Sequence, residues 1–159
     1  MMDESFWKRP ASEVAEDLVG KTIVEYKSLN NIMDHGILTE VDAYESAHKD
    51  RQEELFTQEP GKIGSFRSRR GGISVITAHE DGGTGLITLR RLRRGDTNAS
   101  VTEIYKLLDV KEKHGLYVGK DSGLYINEKP FDLATQGLVV SNVMPSQSPP
   151  NRVAYFVLK

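Results

Sequence analysis

The chain has 159 residues, the size of one ordinary domain, and carries 21 Lys and Arg against 23 Asp and Glu for a formal net charge of −2. Hydrophobic residues make up 38% and charged residues 28%, enough apolar material for one core, while no run of about 18 apolar residues could cross a membrane as a helix. The absence of cysteine excludes disulfides, a thiolate metal site and a cysteine nucleophile, and a net charge of −2 taken alone speaks against a nucleic-acid partner.

The first residues, Met1 to Trp7, lack the basic-then-apolar pattern of a secretory signal, and with no cysteine in the chain a cytoplasmic protein is expected. Arg9-Pro10-Ala11-Ser12-Glu13 followed by Val14, Ala15, Leu18 and Val19 predicts a short amphipathic helix, with Pro10 in its first turn and Gly20 just past its end. Thr22 to Tyr26 is a β-branched run that predicts a strand, Ser28-Leu29-Asn30-Asn31 supplies a turn, and Gly36 to Tyr44 predicts the next strand. Residues 45 to 63 are polar and weakly periodic, a long loop of the kind that carries function. Strands follow around Ile73–Ala78 and Gly85–Arg91, joined through Glu80-Asp81-Gly82-Gly83-Thr84. Asn98 to Val110 has helical spacing in Val101, Ile104, Tyr105, Leu107 and Leu108, with Ser100 or Asn98 as the cap. Leu116–Val118, Leu124–Ile126, Leu138–Val143 and Val153–Leu158 predict further short strands, and Pro145 to Pro150 reads as a linker to the last of them. The expectation is a single α+β domain over residues 1–159, mostly antiparallel sheet with a few short helices.

Charge is unevenly distributed. Residues 62 to 94 hold Lys62, Arg67, Arg69, Arg70, Arg90, Arg91, Arg93 and Arg94 against only Glu80 and Asp81, a balance of +6 that leaves −8 for the rest. Seven of the eight cations are arginine, whose planar fork matches phosphate. If 72–79 and 85–91 pair as a hairpin, both Arg clusters fall at one end and form a phosphate-binding patch. The alternative is a solvated rim holding local ion pairs.

Strand alternation puts Leu38, Glu40, Asp42 and Tyr44 on one face and Ile37, Thr39, Val41 and Ala43 on the other. Two carboxylates and an aromatic on one face suit general acid–base chemistry, because burial and like-charge proximity drive two carboxyl groups apart in pKa. Tyr44 offers a flat wall beside them, and His48 follows at the start of the loop. An edge strand with a wet face would explain the same pattern without chemistry. The four histidines, His35, His48, His79 and His114, show no metal-ligand spacing. Gly82-Gly83-Thr84-Gly85 lacks the Lys-Ser/Thr and the helix of a phosphate loop and reads as a hairpin turn.

Several segments, in order over residues 6 to 94, resemble the alkyladenine (3-methyladenine, methylpurine-type) DNA glycosylases. Phe6-Trp7-Lys8-Arg9-Pro10 and Val14 to Val24 resemble that family's opening helix and first strand. Ile37-Leu38-Thr39-Glu40-Val41-Asp42-Ala43-Tyr44, then Ala47-His48, resembles its Glu-Thr-Glu-Ala-Tyr strand and Ala-Ser-His segment. Phe56 with Pro60-Gly61, and Gly85-Leu86-Ile87-Thr88-Leu89-Arg90, resemble two further steps, with a looser echo at Arg152–Val157.

The resemblance implies a curved antiparallel sheet and a monomeric base-excision repair enzyme that flips a damaged purine, alkylated or deaminated, out of double-stranded DNA. It would hydrolyse the N-glycosidic bond with water and need neither metal nor organic cofactor. Asp42 falls where the family has its catalytic glutamate, with Arg90 as the partner holding water and carboxylate, and Glu40 as a helper. Tyr44 would stack on the base, His48 would contact the base or a phosphate, and Thr77 would line the pocket. Phe66 or Arg67 would form the second wall. Arg69, Arg70, Arg91, Arg93 and Arg94 would bind DNA, with Arg70 in the place of the family's intercalating tyrosine. Asp for Glu shortens the catalytic arm by one methylene, and the family's Gly-Pro-Gly-Lys-Leu helix opening is missing after Arg94. A duplex-DNA-binding relative without chemistry, or an unrelated α+β domain, are the other readings.

Overall fold

The computed structural model describes residues 4–28, 30–45, 59–68, 71–77, 85–95, 97–99, 101–146 and 152–159. A one-turn helix, α1 (Glu4–Trp7), delivers the buried Trp7 to the core, and α2 (Ala11–Leu18) starts directly after Pro10. Ala11, Val14, Ala15 and Leu18 recur at three- and four-residue steps, and all four are buried. Val19 is already extended and Gly20 takes φ 96°, which ends the helix.

Two strands follow, β1 (Thr22–Ser28) and β2 (Asn31–Glu45), which close as a hairpin at Ser28↔Asn31. β2 therefore begins at Asn31 rather than Gly36, because its first residues find partners on β1. Next come β3 (Ile63–Ser68), β4 (Gly71–Thr77), β5 (Gly85–Arg94) and β6 (Thr97–Ala99). α3 (Val101–Leu107) precedes a 3-10 turn at Val110–Lys113, then β7 (Leu124–Asn127), a 3-10 turn at Ala134–Gln136, β8 (Val140–Asn142) and β9 (Arg152–Leu158).

Among the described residues the nine strands form one sheet in the order β3-β4-β5-β2-β1-β7, with β9 also paired to β2, β8 to β9 and β6 to β5. Every pairing is antiparallel. α2 packs on β2, β5 and β9, and α3 on β4 and β5. The domain is α+β, as expected. Leu18, Ile23, Leu38, Leu89, Leu92 and Ile104 are fully buried between helices and sheet, each contributing about 1.5–3 kcal/mol of transfer free energy.

Three expectations are corrected. Asn98–Val110 is not one helix: residues 97–99 pair with β5, and Asp109 in the left-handed region (φ 48°) breaks the chain between α3 and the 3-10 turn. Leu116–Val118 is not a strand and contributes only the bridge Lys62↔Tyr117. β3 was hidden, because Ile63-Gly64-Ser65-Phe66-Arg67-Ser68 has neither β-branched density nor clean alternation; cross-strand pairing with β4 supplies what propensity lacks. Residues 46–58 of the expected loop, the turn at 78–84 and the linker at 147–150 lie outside the described residues.

β2 changes neighbour along its length, and that change sets up the site. Asn31–Ile37 pairs with β1, whereas Glu40–Tyr44 pairs with β9. Gly20 N–H donates to Leu38 O at 2.8 Å and Leu38 N–H to Lys21 O at 2.9 Å, which closes the β1 side. At this junction the register against β5 shifts between Leu38 and Glu40, leaving Thr39 as an extra residue. A bulge of one residue reverses the alternation beyond it. Leu38 consequently joins Val41 and Ala43 in the core, with Leu89, Leu92 and Phe156. The simple alternation that grouped Leu38 with Glu40, Asp42 and Tyr44 does not hold.

Candidate active site

Asp42 lies in the middle of the sheet, opposite Thr88 of β5 on one side and Tyr155 of β9 on the other, and is 0% exposed. This excludes the edge strand with a wet face. Three side chains converge on a single oxygen of this carboxylate. Arg90 Nε donates to Asp42 Oδ2 at 2.8 Å, with Nη2 also 2.8 Å away. Tyr44 OH donates to Oδ2 at 3.1 Å, and Arg152 Nε lies 3.3 Å from it. Arg90 Nη2 also donates to Tyr44 OH at 2.7 Å, and Arg152 Nε is 3.4 Å from the same hydroxyl. Asp42 Oδ1 is buried with no hydrogen-bond partner among the described residues, and so is Thr88 Oγ1 on the facing strand.

Bulges aim the arginines. Glu40 pairs with Arg91 and Val41 with Leu89, so Arg90 is an extra residue on β5. Two consecutive arginines can then reach the same side of the sheet: Arg90 reaches Asp42, and Arg91 Nε lies 3.2 Å from Glu40 Oε2. On β9 the shift from Ala43↔Ala154 to Tyr44↔Arg152 skips Val153 and brings Arg152 beside Asp42 while Ala154 stays in the core. Arg152 also stands over the rings of Tyr44 and Tyr155, at 5.8 and 5.3 Å from their centroids.

The two carboxylates are served separately. Glu40 accepts from Tyr155 OH at 2.8 Å and pairs with Arg91, while Asp42 takes Arg90, Arg152 and Tyr44. Burial works against the Arg90 charge, but the Asp42 charge and the hydrogen bonds to Asp42 and Tyr44 outweigh it and hold its pKa above the usual value. Burial, then the Asp42 charge, push the Tyr44 phenol up against the pull of the two arginines. Burial and the hydrogen bond to Glu40 push Tyr155 up to about 12. Both phenols are therefore donors at neutral pH.

The basic segment has a consistent geometry. β4 and β5 pair antiparallel from Thr77↔Leu86 to Ser74↔Leu89, the expected hairpin pairing, which turns the Gly71 end of β4 toward the arginine-rich end of β5. The β3–β4 hairpin continues to Ser68↔Gly71, whereas its pairing with β5 stops at Ser74; its last three residue pairs overhang the sheet, and β6 takes the place beside β5. Arg91 is 50% exposed and ion-paired, which fits the solvated-rim reading at that position. Arg93 is half-buried and Arg94 exposed, and neither has an ion-pair partner among the described residues.

Phe66 and Arg67 lie on β3 and Thr77 on β4; their side chains, and all of His48, Arg69 and Arg70, lie outside the described part of the structure. Sequence reasoning missed Arg152, Tyr155 and Thr88 as site residues; the signal for the first two was the looser resemblance at Arg152–Val157. Among the described residues no group of three or more His, Asp or Glu converges on a metal position, and no helix is long and apolar enough to cross a membrane. Against known protein-family models and against curated proteins the chain finds no match.

Proposed function

We propose that the protein is a monofunctional DNA glycosylase with a methylpurine-glycosylase-like fold. On this reading it flips a damaged purine from duplex DNA and hydrolyses its N-glycosidic bond with a water activated by Asp42. The observation that supports this reading is the asymmetry of the Asp42 carboxylate: among the described residues every partner meets Oδ2 and none meets the buried Oδ1. Buried polar atoms in native proteins are nearly always paired, and an exception is most simply explained by a ligand, a water or a catalytic role. Oδ2 anchors the group and Oδ1 is the base. The facing Thr88 Oγ1, also unpartnered, is the second polar atom that a bound water needs.

In the reaction the water oxygen bonds to the sugar C1′ as the bond to the purine nitrogen breaks. The electron pair leaves with the base, and Asp42 Oδ1 takes the proton from the water. An N-alkylated purine already carries positive charge and departs neutral, so no general acid is required. The carboxylates also face the positive charge that develops on the sugar. Arg90, Arg152 and Tyr44 fix the carboxylate, and Tyr44 keeps the base-stacking role that the resemblance gives it. The overhanging β3–β4 hairpin and the arginines at that end supply the DNA contacts, with Arg70 entering the stack. No metal or organic cofactor takes part.

The test is base release from duplex oligonucleotides carrying alkylated or deaminated purines, with binding measured over a range of salt. Release from at least one alkylated purine is expected, with binding that weakens steeply as salt rises. Salt-dependent binding without release of any base would make the protein a DNA-binding relative without chemistry. Absence of both would overturn the reading altogether.

A further inference from the structure

On the opposite, core-bearing side of the sheet a cavity of about 580 Å³ lies between β2, β5, β6 and α3. Its size falls in the range of small-molecule sites. Leu92, Ala99 and Leu107 give it apolar walls, and Arg94 and Lys106 line it with two cationic side chains, both exposed and neither ion-paired among the described residues. His35 also lines it. That histidine is the extra residue where Gly36↔Ile23 steps to Asp34↔Val24. Beside it Gly36 takes φ 110°, and a Cβ there would come within 2.2 Å of Arg93 O, so only glycine lets β2 pass this close to β5. The bulge leaves His35 fully buried, with Nε2 2.8 Å from Glu25 Oε1 and Nδ1 without a partner.

We infer that this cavity is a binding site for a small carboxylate with an apolar, planar or alkyl body, separate from the Asp42 site, although it shares Arg94 with the end of β5 proposed to meet DNA. Apolar walls with two exposed cations, neither ion-paired among the described residues, match such a molecule: its body lies against Ala99 and Leu107, backed by Leu92, while its anionic end meets the guanidinium and the ammonium.

The test is a titration of the full chain with cinnamate, followed by amide and His35 ring NMR shifts, beside cinnamyl alcohol as the uncharged counterpart. Cinnamate should give saturable shifts confined to His35, β5–β6 and α3, with the alcohol bound roughly tenfold more weakly, as loss of a charge-assisted contact predicts. Lys106→Glu should weaken cinnamate by a similar factor and leave the alcohol unchanged, and Ala99→Phe should remove both by filling the cavity. Lys106 lies outside the basic segment, so Lys106→Glu should keep wild-type base release and DNA binding. No saturable shift with cinnamate, equal binding of acid and alcohol, or indifference to Lys106→Glu would each overturn the site.

Discussion

The protein buries two carboxylates in very different ways. Glu25 is satisfied on both oxygens: Oε1 meets His35 Nε2 and Oε2 meets Lys113 Nζ, each at 2.8 Å, and Lys113 also donates to Leu108 O. Asp42 is more deeply buried and, among the described residues, takes three partners on one oxygen and leaves the other without any. Both carry a compensated charge, so charge balance does not distinguish them. The unused oxygen does. A carboxylate satisfied on both oxygens holds the fold together, whereas one that leaves an acceptor open in a preorganised frame is ready to take a proton.

This contrast predicts opposite mutational profiles. Lys113→Met leaves Glu25 buried beside His35 alone and should lower the unfolding free energy by about 3–5 kcal/mol, the usual result of removing one partner of a buried pair. Denaturant titration checks this, and base release per folded molecule should not change. Arg152→Met should do the reverse in emphasis, lowering single-turnover base release by roughly 10–100-fold through loss of the ion pair to the carboxylate and the hydrogen bond to Tyr44, beyond any loss of folded protein. Equal activity profiles for the two variants would erase the distinction.

The pH dependence sharpens it further. Burial raises the Glu25 pKa, but the hydrogen bonds from Lys113 and His35 outweigh it and hold the group below the usual carboxylate range. The unfolded chain therefore binds the proton first. Stability is fully present above the ordinary carboxylate pKa and falls as pH drops through the native value. Glu25→Gln should flatten that acid limb. Tyr155 acts at the other end. Its phenol is raised from 10 to about 12, so between these values the unfolded state has lost a proton that the native state keeps. Stability is complete below pH 10 and declines toward pH 12, and Tyr155→Phe should reduce the decline. The smallest effect is expected at Arg91, half exposed on Glu40. Arg91→Ala should change stability by only about 0–1 kcal/mol and leave the salt slope of DNA binding nearly unchanged, because its charge is already paired with Glu40.

Much of the fold was legible because local pattern and tertiary burial agree. The spacing of Ala11, Val14, Ala15 and Leu18, and the apolar runs at Thr22, Gly85 and Val153, lead to the observed α2, β1, β5 and β9. Glu40, Asp42 and Tyr44 were legible as a group because strand alternation puts them on one face, whereas Arg90 was drawn to them only through the family resemblance. What was not legible depends on bulges. Alternation assigns one of Arg90 and Arg91 to the core side, and groups Arg152 with Ala154; an extra residue on β5 and another on β9 bring all three arginines to the carboxylates. The same cause hid the Glu25–His35–Lys113 cluster. His35 enters the core only because β2 bulges there, and Lys113 comes from a 3-10 turn far along the chain. Register shifts arise from which strand lies alongside, and no local window contains that.

The open oxygen of Asp42 is tested most directly by Asp42→Asn, in single-turnover release of a methylated purine from duplex DNA, with binding of the same duplex measured in parallel. Replacing one oxygen by an amide removes the negative charge and the base while keeping the shape. Release should fall by about 10²–10⁴-fold, the usual contribution of a positioned general base, with DNA affinity nearly unchanged. Equal release by variant and wild type would contradict the assignment of Asp42 as the base.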